Sequence, residues 1–98
     1  MPTGATEFYE VRLSSQHREL IEPRATGAKE NLVVVQGRLE LTVGGEPPVV
    51  LPAGDAAAFH ADVPRSFRNL DGEDTVIHIV VTYVEPVGQG TTGVFFGE

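Results

Sequence analysis

The chain has no cysteine, and only seven lysines and arginines stand against fourteen aspartates and glutamates in its 98 residues. The missing thiols exclude a disulfide framework, a thiolate zinc site and a cysteine nucleophile. The shortage of basic residues leaves a net charge of −7. That balance argues against a domain that holds nucleic acid by neutralising phosphates, and it offers no basic cluster to an anionic lipid surface. No apolar run is long enough to span a bilayer. The opening MPTGATEFYE has no basic segment followed by an apolar one, so no signal peptide is expected and a cytoplasmic location is. A glycine-rich phosphate loop is also missing. Ser14, Ser15 and Ser66 lie in no nucleophile-elbow context.

What is present is dense punctuation. Eleven glycines and seven prolines separate short runs of Val, Leu, Ile, Phe and Thr. This spacing predicts an all-β sandwich or barrel. Strands are expected over 8–13, 19–22, 30–36, 38–43, 49–51, 56–60, 65–69 and 75–85. Residues 14–20 fit a turn of helix or a polar bend. The LVVV within 30–36 reads as buried on both faces. Residues 38–43 alternate, with Leu39, Leu41 and Val43 on one side, and with 30–36 they read as a β-hairpin about Gly37. TVIHIVVTYVE is the longest run and is expected to be central. Eight short strands must manage their edges, which a closed or double-sheet barrel does. One domain over 1–98 is expected, with its core at about 8–85 and a glycine-rich tail over 86–98. Phe95 and Phe96 in that tail suggest a covered face.

Glu30, six residues, then Gly37; PAGD at 52–55; and ADVPRSFRN at 61–69 follow one another in that order. In order and spacing the chain resembles the cupins, small jelly-roll barrels, and most of all the cupin domain C-terminal to a helix-turn-helix in bacterial regulators of the XRE type. The resemblance runs over roughly residues 8–84. It implies a regulatory module with a DNA-binding domain N-terminal to the barrel, and it leaves open whether this barrel stands alone. It also implies where metal ligands would fall. Metal-binding cupins use two histidines and a glutamate from the first motif and a histidine from the second. Here Glu30 keeps its place, while Arg24, Thr26 and Arg65 occupy the histidine positions. Arginine has no lone pair to give, so neither a metal nor another cofactor is expected.

The resemblance puts Arg24, Glu30 and Arg65 at one site. Two guanidinium groups beside one cavity repel unless an anion joins them, and their forked geometry matches a carboxylate or phosphate. A small-molecule ligand, anionic or carbonyl-bearing in this reading, is therefore expected on Arg24, Glu30 and Arg65, with His78 joining them if it points inward. The alternative is that Glu30 itself pairs with Arg65 or Arg24 and closes the site. His60 and His17 read as surface residues, His17 with no visible partner. Asn69 and Asp55 read as turn supports, Phe59, Phe67 and Val34 as core, and the Tyr83 hydroxyl as lying at the barrel edge. Three functions compete. The first is an effector-binding module with no catalytic residue. The second is an enzyme of the isomerase, epimerase or dioxygenase type, using Glu30 and His78 as acid and base. The third is a structural role as a dimerisation module, a homodimer built on long apolar strands, which is compatible with the first; a stand-alone dimeric cupin is the further alternative.

Overall fold

The computed structural model describes residues 4–84, and the expected tail at 86–98, with Phe95 and Phe96, lies outside them. Eight strands follow in chain order: β1 (Gly4–Leu13), β2 (Arg18–Ile21), β3 (Lys29–Gln36), β4 (Arg38–Val43), β5 (Val49–Pro52), β6 (Ala56–His60), β7 (Arg65–Asn69) and β8 (Thr75–Val84). They form two four-stranded antiparallel sheets, ordered β1-β8-β3-β6 and β2-β7-β4-β5. This is the expected all-β jelly roll, and no helix occurs among the described residues. The polar segment at 14–17 is a turn, with Gln16 at φ 62°.

The period of two sets the core. Leu32 and Val34 from β3, Leu39 and Leu41 from β4, Phe67 from β7, and Ile77, Ile79 and Val81 from β8 pack between the sheets. Each such side chain contributes roughly 1.5–3 kcal/mol by leaving water. Central placement of β8 between β1 and β3 matches its length and apolar content. Its outer residues His78 and Val80 are nevertheless only half-buried, because that face of the sheet has no layer over it among the described residues.

Two expectations are corrected. Burial within LVVV alternates: Leu32 and Val34 are buried, whereas Val33 and Val35 are exposed. The run is apolar throughout, but only one side of its sheet is covered. The second correction concerns Gly37. Strands β3 and β4 do not pair; they belong to different sheets, so Gly37 is a corner and not a hairpin turn. The hairpin partner of β4 is β5, across the turn that begins at Gly44.

The corner has a clear physical cause. Gly37 adopts φ +87°, and a Cβ there would stand 2.9 Å from the Cα of Thr75. Closeness lets the Thr75 hydroxyl accept the Arg38 N–H at 3.1 Å and donate to Asn69 Oδ1 at 2.8 Å. Asn69, fully buried, does more than support a turn. Its Nδ2 donates to the carbonyls of Leu13, Ser14 and Glu73 at 2.9, 3.0 and 2.7 Å, and its Oδ1 also accepts the Asp71 N–H at 2.7 Å. One amide thus ties the end of β1, the end of β7 and the start of β8 together.

Candidate functional site

At the other end of the sandwich, two loops close over the space between the sheets. The 22–28 loop leads into β3, and the 61–64 loop leads into β7. They are stitched together by Arg24 N–H to Ala61 O and Ala61 N–H to Ala28 O, both 2.9 Å. Asp62 accepts the Gly27 N–H at 3.0 Å, and that bond holds its carboxyl below the usual aspartate range.

Beneath the loops, β7 turns Arg65 inward beside Phe67, and its side chain is wholly buried. Nη1 shares its two hydrogens among three carbonyls, those of Ala61 at 2.8 Å, Val63 at 3.0 Å and Glu22 at 3.2 Å. Nη2 donates to Glu30 Oε2 at 2.9 Å. Glu30 reaches this point because β3 places it on the inner face with Leu32 and Val34. The same Oε2 accepts Arg24 Nε at 2.6 Å. Arg24 also donates Nη1 to the Tyr83 hydroxyl at 2.9 Å, lies 5.5 Å over the Tyr9 ring, and has Glu7 at 4.0 Å. Partial burial works against the charge on Arg24, but its bonds to Glu30 and Tyr83 outweigh this and raise its pKa, so it stays protonated.

The carboxylate is therefore used on one side only. Glu30 Oε1 is buried with no hydrogen-bond partner among the described residues, and so is Arg65 Nε. Both residues line a cavity of about 180 Å³, whose walls are largely apolar: Val11, Ile21, Phe67 and Ile79, with Tyr9 beside Arg24. Roughly six water-sized groups would fit. Glu19 also borders it.

Three of the four expected site residues, Arg24, Glu30 and Arg65, come together. His78 does not join them. Ile77 and Ile79 occupy the inner face of β8, so parity turns His78 outward, where Nε2 meets Glu10 Oε1 at 2.9 Å and the ring stands edge-on to Phe8. Glu30 and His78 thus lie on opposite faces of one sheet and cannot act together as acid and base. His17 has a partner after all, Glu19 at 2.8 Å. Among the described residues, no group of three or more His, Asp or Glu side chains could hold a metal ion. Sequence reasoning missed Glu7 and Tyr9 as neighbours of Arg24. Their parity with Val11 and Leu13 was the available signal, but Glu7 lay outside the expected strand.

The family model described as "Cupin domain" (Cupin_2) matches residues 11–82. The HTH-type transcriptional regulator SutR of Escherichia coli (strain K12) is 35% identical over 83 residues, covering 84% of this chain and 46% of that protein. The structure of an HTH_3 family transcriptional regulator from Vibrio cholerae superposes with a TM-score of 0.74 at 26% identity, over 80% of this chain and 43% of that one. The cupin domain of an XRE family transcriptional regulator from Enterobacter cloacae gives a TM-score of 0.73 at 24% identity, over 78% and 79% of the two chains, a likeness of fold. The chain spans about half the length of the curated relative it matches.

Proposed function

This chain belongs to the cupin domain family, and we propose that it is the small-molecule-sensing module of a transcriptional regulator, working in the cytoplasm. The observation that carries the reading is the cavity between the sheets. It has an apolar wall, a polar floor of Glu30 and Arg65, and a half-exposed Arg24 between floor and solvent. Apolar walls with a few convergent polar groups are the usual make-up of a ligand site. Arg24 borders the cavity from the 22–28 loop, which backbone hydrogen bonds join to Ala61 at the start of the 61–64 loop, so an occupant that moves Arg24 would also move both loops. The acidic composition suits a domain that leaves DNA contact to a partner domain. The test is a thermal-shift screen of small metabolites on this chain and on Val11→Phe, which fills the cavity. A compound that raises the melting temperature saturably in the first and not in the second supports sensing. A screen without such a compound overturns it.

The same reading includes a second copy of the chain. The outer face of the β1-β8-β3-β6 sheet exposes Phe8 (65%) and Val33 (36%), with Val80 and Ala56 beside them. Glu10 and Arg12 at its rim would give a two-fold partner opposite charges to meet.

A further inference from the structure

The outer face of the β2-β7-β4-β5 sheet plays no part in the cavity, and it gathers charge that the sequence scatters. Leu20, Ser66 and Thr42 form one row across β2, β7 and β4. Arg18, Arg68, Glu40 and Val50 form the next, across all four strands. Arg38 and Pro52 are paired in a third. Parity turns these residues away from the core, because Ile21, Phe67, Leu41 and Leu51 pack inward from the same strands. Three of the chain's seven basic residues thus share one face, with Glu40 as the one acid in those rows.

Arg18 and Arg68 stand directly opposite each other on paired strands, and like charges so placed repel. The other arginines each have a carboxylate: Arg12 has Glu10 and Asp74, Arg24 and Arg65 share Glu30, and Arg38 has Asp71. Among the described residues neither Arg18 nor Arg68 has an ion pair, in a chain with fourteen acids. Glu40 is level with Arg68 in register but makes no ion pair with it. Arg18 is exposed and Arg68 half-buried, so both can be reached from solvent. Leu20 (72%) and Val50 (49%) lie exposed on either side of them.

We propose that this face docks an acidic segment of a partner protein, with carboxylates on Arg18 and Arg68 and apolar side chains on Leu20 and Val50. Two guanidinium forks side by side suit carboxylates, which sets the sign of the partner's charge. Three features select a protein over a phosphate backbone. Leu20 and Val50 offer a line of phosphates nothing to pack against. Glu40, in the same row as the arginines, repels a continuous polyanion. The net charge of −7 opposes nucleic acid at longer range. This surface is separate from the cavity, and the second copy is placed on the other sheet, so its occupancy depends on neither.

The probe is a capped octapeptide, LEELLEEL, titrated into the 98-residue chain while the side-chain Nε–H resonance of Arg68 is followed by NMR. The peptide is expected to shift it saturably, and more weakly as salt rises. A short DNA duplex is expected to leave it in place. Arg18→Glu is expected to weaken the peptide roughly tenfold or more. It sets a carboxylate opposite Arg68, so it is expected to melt no lower than the parent chain, and a lost shift is then not a lost fold. Lys29→Glu makes the same change in net charge at an exposed site on the other sheet and is expected to bind the peptide as the parent does. A duplex that shifts Arg68 as strongly as the peptide overturns the protein partner. Equal weakening by Arg18→Glu and Lys29→Glu, an Arg18→Glu chain that melts lower, or no shift with LEELLEEL overturns the surface itself.

Discussion

Arg65 is a charge in the middle of a β sandwich, and its neighbours explain how the fold tolerates it. Three carbonyls and a carboxylate surround its two Nη groups, so all but Nε of the guanidinium has lost water and regained partners. Removing Glu30 leaves Arg65 buried without a counter-charge, and removing Arg65 leaves the buried Glu30 with Arg24 as its one remaining charged partner. Arg65→Met is therefore expected to cost about 3–5 kcal/mol in urea unfolding, and Arg65→Met with Glu30→Leu is expected to cost less than that single change. A double variant that loses the sum of the two single losses would show that the charges act independently. Asp62 makes a prediction in pH. Its carboxyl is held below the ordinary aspartate range by the Gly27 N–H, so its contribution to stability is present above that range. It is lost as the pH falls through the depressed folded-state value. Melting curves of Asp62→Asn should accordingly fall less steeply on the acid side than those of the parent chain; identical acid limbs would contradict this. At this scale the sequence was partly legible. The motif positions of Arg24, Glu30 and Arg65 brought them to one site, but nothing in a one-dimensional order says that a single carboxylate oxygen serves both arginines. His78 could have been read correctly. It alternates with Ile77 and Ile79, and two isoleucines claim the core before one imidazole does.

At the scale of elements, the strands were legible because their turns are punctuated by Gly and Pro, and their bounds shift mainly at the ends. Pairing was less so. A run ending at Gln36, one glycine and a run starting at Arg38 have the form of a hairpin, whereas the chain uses that glycine to pass from one sheet to the other. The close approach of Thr75 distinguishes the two cases, and Thr75 is remote in sequence. Two glycines offer a controlled comparison. Gly37 and Gly27 share a left-handed φ of 87° and 88°, but a Cβ at Gly27 meets nothing within 4 Å. Gly27→Ala is expected to cost only the backbone strain, about 1–2 kcal/mol. Gly37→Ala adds the collision with Thr75 and is expected to cost about 2–4 kcal/mol. Equal losses in chemical denaturation would mean that the corner relaxes freely.

For the whole molecule, the two apolar surfaces of the β1-β8-β3-β6 sheet have different fates. One is the core; the other, with Phe8 and Val33, is open among the described residues. A homodimer is expected by light scattering, and Phe8→Glu is expected to shift it to monomer with little change in the fold of each copy. Only monomer at high concentration in the parent chain would remove the second copy from the proposal. The LVVV run hinted at this face and was misread as an interior one, because an apolar residue covered by a partner and one covered by its own chain look the same in sequence. One further consequence follows from the pairing of β1 with β8. Glu10 and His78 meet across 68 residues of chain, in a ladder that runs the length of both strands. During synthesis β1 has no partner among the described strands until β8 leaves the ribosome. Until then its edge and Phe8 stay open to other nascent chains. Long-range closure of this kind is slow, so the window in which a chaperone, or an aggregate, can capture the unfinished barrel is set by β8.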